Sequence, residues 1–86
     1  MDANDAVALI ERYVETYRAE HADFLPREVT VLPSGDETDA VKLLVHFPEE
    51  TPEREARKRG EALVKALRKA HPELAAIKVR LRADAF

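Results

Sequence analysis

Three histidines, one serine and a cluster of loop carboxylates are the side chains from which this chain would have to build a metal centre or a nucleophile. His21 and His71 stand where helices should end, and there an imidazole caps carbonyls and complements the dipole. His46 lies on the outward side of a strand. No pair of histidines has ligand spacing and no carboxylate is fixed beside one, so no metal site is expected. Ser34 sits in Pro33-Ser34-Gly35-Asp36, which is turn chemistry, and no Gly-x-Ser-x-Gly surrounds it. With only two glycines there is no phosphate-cradling loop. Asp36, Glu37 and Asp39 lack the alternating ligands of a calcium loop. Carboxylates in a solvated loop make poor general acids, and small two-layer domains rarely enclose a substrate. The chain therefore reads as non-enzymatic, with no catalytic residue, no metal and no cofactor.

Charge is the stronger pattern. Residues 1–50 hold twelve acids and four bases, whereas residues 51–86 hold five acids and ten bases. One reading is structural: Glu11, Glu15 or Glu20 of an acidic helix meet Arg57, Lys65 or Arg68 of a basic one, each exposed pair contributing about 0–1 kcal/mol. The other gives the basic part an anionic partner. The net charge of −3 argues against nucleic-acid binding by the whole surface, but not by one face.

The elements that would position these groups follow from periodicity. Asp2 is an N-cap, with Asp5 three residues on. Ala6, Ile10, Tyr13, Val14 and Tyr17 then form the apolar stripe of a helix that fades near His21. Phe24 or Leu25 folds back over the core. Arg27–Leu32 alternates as a half-buried strand, with Val29 and Val31 inward. Residues 33–39 form a turn-rich loop, and Ala40–Phe47 is the second strand, with Val41, Leu43, Val45 and Phe47 inward. Thr51 caps a second helix with Pro52 at its first position. Ala56, Gly60, Leu63, Leu67 and Ala70 line its buried stripe, and His71-Pro72 ends it. Gly60 reads as a close approach to Ile10 and Tyr13, or as a kink. Ala76–Arg82 is the last strand, with Ile77, Val79 and Leu81 inward. At an offset of 50, Tyr13, Val14 and Tyr17 match Leu63, Val64 and Leu67. We read this as two similar packing solutions rather than as a duplication.

These features specify one α+β domain over residues 1–86, a two-layer sandwich of order α-β-β-α-β. Both helices cover one face of a three-stranded mixed sheet, with a right-handed crossover between parallel second and third strands. The third strand's neighbour stays open. With no cysteine there is no disulfide or thiolate site. The acidic start lacks a signal peptide's pattern, and no apolar run would span a bilayer, so a soluble cytoplasmic protein is expected, or one that is recombinant only if designed. Lys42, His46, Lys78, Arg80 and Arg82 make a positive open sheet face. With Arg57, Lys58 and Arg59 of the second helix they form the candidate surface for an anionic partner. Exposed aromatics for base stacking are lacking. An edge strand, Ala76–Arg82 or Arg27–Leu32, would pair with a protein partner or a second copy.

Two resemblances bear on function. Thr51-Pro52-Glu53, Lys69-Ala70-His71-Pro72-Glu73-Leu74 and Ala76-Ile77-Lys78-Val79-Arg80-Leu81 resemble computationally designed α/β mini-proteins, in which each local choice agrees with its element. That implies a scaffold or protein-interaction module. The element order and Gly60 resemble the type II KH-like fold and, within it, the ribosome-binding factor A family. There a helix broken near a glycine lies among elements that bind structured RNA. In this chain the corresponding segment, Gly60-Glu61-Ala62-Leu63, lacks the second glycine of the KH Gly-x-x-Gly signature, and Lys58 stands two residues before the glycine, where the ribosome-factor variant has alanine. This resemblance implies an RNA- or ribosome-binding module carried by Arg57, Lys58, Arg59, Lys78 and Arg80.

Overall fold

The computed structural model describes residues 1–85. Helix α1 spans Ala3–Glu20 and is capped as its sequence requires, with Asp2 Oδ1 accepting from the Asp5 N–H at 2.9 Å. The Ala3 N–H donates to the Thr38 carbonyl at 3.0 Å, fastening the helix start to the loop before the second strand. At the other end the His21 N–H donates to the Tyr17 carbonyl, and His21 Nδ1 lies 3.0 Å from the same oxygen. The imidazole stacks on Tyr17, with ring centroids 3.9 Å apart. Phe24, not Leu25, is the residue that folds back: it is buried, edge-on to both Tyr17 and Phe47, while Leu25 is 63% exposed with φ of 45°.

Strand β1 is Glu28–Pro33 and β2 is Ala40–Phe47. They pair antiparallel, with Val31 opposite Leu43 and Glu28 opposite His46. Helix α2 spans Glu53–Ala70. Its N-cap is Pro52, without a side-chain bond, rather than Thr51, whose N–H instead closes a turn onto the Pro48 carbonyl at 2.9 Å. Ala70 is exposed, because the buried stripe ends one turn earlier at Leu67. After His71 the chain makes a 3₁₀ turn, Pro72–Ala76, that drives Leu74 into the core. The last strand, β3, is Lys78–Ala85, starting and ending later than Ala76–Arg82. The Lys78 N–H donates to the Asp39 carbonyl at 2.8 Å, which sets its register on β2.

The sheet order is β1-β2-β3, with β3 parallel to β2, so both β1 and β3 are edges. Ile10, Leu43, Phe47, Leu63, Leu67 and Ile77 join one core between the helices and one face of the sheet. α1 packs chiefly on β1 and α2 on β3. Tyr13 is only half-buried, at the surface of the helix layer beside His71, and Val79 and Leu81 are likewise half-buried because β3 has no strand beyond it. α2 runs unbroken through Gly60. That glycine faces β3 rather than Ile10 and Tyr13: a Cβ there would stand 3.0 Å from the Ala83 Cβ. Among the described residues no helix is long and apolar enough to cross a membrane.

Candidate functional site

The face of the sheet away from the helices carries the even-numbered residues of all three strands. Pairing places them in rows: Leu32, Lys42 and Arg80, then Thr30, Leu44 and Arg82, then Glu28, His46 and Asp84. The positive face expected from the sequence is therefore positive at one end only. His46 stands between two carboxylate-bearing positions, in a shallow hollow of about 340 Å³ with Arg82 and Leu44. The cations of β3 are also matched. Glu37, on the hairpin loop, reaches over β3 to Arg80 at 2.6 Å and Lys78 at 3.7 Å, and Arg82 Nε donates to Asp84 at 3.0 Å.

The eight residues assigned to an anionic partner are not brought together. Lys42, His46, Lys78, Arg80 and Arg82 lie on the open sheet face. Arg57, Lys58 and Arg59 lie in the helix layer on the other side. Arg59 is a packing residue, its Nε 3.2 Å from Glu55 and its guanidinium 5.8 Å from the Phe47 ring centroid. Arg57 reaches Glu53 within its own helix. Among the described residues no ion pair joins Glu11, Glu15 or Glu20 to Arg57, Lys65 or Arg68. Glu11 and Glu15 border Val29 and Val31 of β1, on the flank of α1 turned from α2. Arg68 instead donates to the carbonyls of Leu74 and Ile77, at 3.3 and 3.1 Å, clipping the end of α2 to the approach of β3. Its position one turn from Pro72 was the only sequence signal for that role.

The backbone makes a third surface at the β3 edge. Because the Lys78 N–H points to β2, the alternation of a strand turns the N–H and C=O groups of Val79, Leu81, Ala83 and Ala85 away from the sheet. On β1 the Ser34 N–H donates to Ala40, so the outward residues are Val29, Val31 and Pro33, and the proline has no N–H. β1 thus offers two outward donors and ends in a residue that blunts pairing. β3 offers an uninterrupted row. No known protein family, curated protein or solved structure matches the chain.

α2 packs on β3. On the flank nearer α1, Arg59 touches Phe47 and shares a cleft with Tyr17. The helical turn then puts Arg57, Glu61, Val64 and Arg68 on the opposite flank, and the reach of Arg68 to Ile77 bears this out. Val64, like the core-facing Val79, Leu81 and Ala83, is half-buried against the core. The shifted titrations lie elsewhere. Burial, with the Glu20 carboxylate nearby, raises the Tyr13 pKa above its usual value, and burial, with Asp23 and then Tyr13, does the same for Tyr17.

Proposed function

We propose that this chain is a non-enzymatic protein-interaction module that accepts an extended segment of another polypeptide along β3. The observation that carries the reading is an edge without proline or bulge over eight residues. Strand edges are blunted by such devices, by covering loops or by charged side chains. The charges of β3 (Lys78, Arg80, Arg82 and Asp84) lie on the open face of the sheet, and its outward backbone groups sit beside half-buried apolar side chains. Strand addition takes its affinity from such groups and its specificity from the flanking pockets. The agreement of several local choices with their elements, such as the Asp2 cap and the β2 alternation, supports the further reading of a designed scaffold.

The test is amide chemical-shift mapping on the labelled protein, titrated with a pool of capped eight-residue peptides in which valine alternates with varied polar residues. Shifts at Val79, Leu81 and Ala83 that disappear in Val79→Pro, whose lost N–H faces outward, are expected. Shifts confined to other elements, or none, refute the reading.

The element order and the exposed Arg57 and Lys58 favour KH-like RNA binding as a second reading, although α2 is unbroken at Gly60. Affinity for mixed RNA that falls steeply with salt would support it, and no binding at low salt would remove it.

A further inference from the structure

We infer that the segment taken up at β3 is a lone strand of alternating acidic and apolar residues, and not a second copy of this chain. The inference rests on the strand-accepting reading. It starts from the width of the two layers. Neighbouring helix axes stand about 8–10 Å apart, whereas three strands place β1 and β3 only about 10 Å apart at roughly 4.8 Å per interval. α1 over β1 and α2 over β3 therefore use the whole sheet, and about half of α2 projects beyond β3. The 3.0 Å separation of a Gly60 Cβ from the Ala83 Cβ shows how directly the helix sits on that strand.

A fourth strand fits beneath this projection. A second copy does not: β3 pairing with its own duplicate would bring two α2 helices, each centred on its strand, to about one strand spacing, roughly 4.8 Å, where helices need about 8–10 Å. The occupant must carry nothing on its helix side except side chains.

The two faces of the site specify the alternation. Toward the helices the incoming side chains meet Val79, Leu81 and Val64, which call for modest apolar groups. Toward the open face they meet Lys78, Arg80 and Arg82, spaced two residues apart on β3, with Arg82 already paired to Asp84 at the next outward position. Acidic residues at that spacing stand directly across from them, the arrangement that stabilises cross-strand pairs. Glu37 already occupies Lys78 and Arg80 from the loop, and so previews the ligand. It competes with an incoming carboxylate and has to yield.

Two fluorescein-labelled, capped octapeptides test this: one alternating glutamate and valine, the other lysine and valine. Titration by anisotropy at low salt is expected to favour the acidic peptide by roughly tenfold or more, from about three cross-strand charge pairs. The margin should shrink as salt screens them. Glu37→Gln should tighten the acidic peptide by roughly twofold to fivefold, as the loss of its two exposed competing pairs, with Lys78 and Arg80, allows. Val79→Pro should weaken both peptides. Equal affinity of the two peptides, both lost in Val79→Pro, overturns the inference while the strand-accepting reading stands. No binding of either removes both. A dimer in sedimentation velocity that Val79→Pro dissociates also overturns the inference, by making a second copy the occupant.

Discussion

Gly60→Ala is the sharpest test of how α2 rests on β3. The added methyl would lie 3.0 Å from the Ala83 Cβ and 3.3 and 3.4 Å from the Leu81 δ carbons. Non-bonded carbons prefer about 3.5–4.0 Å, so roughly 0.5 Å must be found. Leu81 can rotate away, but the Ala83 methyl is fixed to the strand backbone. Overpacking of this kind costs about 1–3 kcal/mol, and replacing a mid-helix glycine by alanine returns about 1 kcal/mol. Gly60→Ala alone should therefore lose about 0–2 kcal/mol. In an Ala83→Gly background the obstacle is gone, and the same change should gain about 0.5–1 kcal/mol from helix propensity. The double-mutant cycle should show a coupling of about 1–3 kcal/mol. Urea denaturation of the four proteins at constant m-value measures it, and each kcal/mol should move Tm by about 4–8 °C in a domain of this size. A stabilisation of equal size in both backgrounds would refute the contact between Gly60 and Ala83.

Arg68→Ala should destabilise by about 2 kcal/mol, since bonds from a charged donor to two carbonyls are lost; a change within about 0.5 kcal/mol would mark Arg68 as ordinary surface charge. Leu25→Gly should stabilise by about 0.5–1 kcal/mol, because relief of a left-handed leucine outweighs glycine's extra chain entropy. Leu25→Ala keeps the Cβ and should not, and equal urea midpoints for the two would sink the strain argument. Tyr13 and Tyr17 hold their protons more tightly folded than unfolded. Their contribution is complete below the unfolded value of 10.0 and is lost as pH rises through the higher folded values. Ultraviolet titration of tyrosinate should accordingly give native midpoints above 10.0, with stability declining only at strongly alkaline pH. Midpoints at or below that value would contradict the burial of the phenols.

The architecture was legible because both helices and β2 have one apolar face each, with the period their geometry demands. β2 begins and ends where its alternation does, at Ala40 and Phe47. β3 was misplaced because Ala76 has no strand signature, while Ala83, Asp84 and Ala85 are poor strand formers that pairing with Val45, His46 and Phe47 holds extended. Thr51 looked like a cap, yet it belongs to the preceding Pro48 turn, and Pro52 takes the N-cap position without a side-chain bond. The surface was harder to read. Sequence separates Glu37 from Arg80 and Arg68 from Ile77, and only the fold makes them neighbours. A list of cations therefore read as one face what the sheet divides between two sides. Gly60 reads from sequence as a close approach or a kink, and periodicity cannot say that the neighbours are Ala83 and Leu81 rather than Ile10 and Tyr13.

Thr38 and Asp39 are adjacent residues whose carbonyls are held in opposite directions, one by the start of α1 and the other by the start of β3. The hairpin's last two residues thus act as a rivet through the first helix and the last strand. Closing this hairpin positions docking points for α1 and β3 in a single event, and each docking then closes its own long loop. Extra residues at the Gly35–Asp36 tip, where a Cβ on Gly35 would touch nothing, remain a local matter. A shift of the backbone at 38–39 would pull on both termini at once.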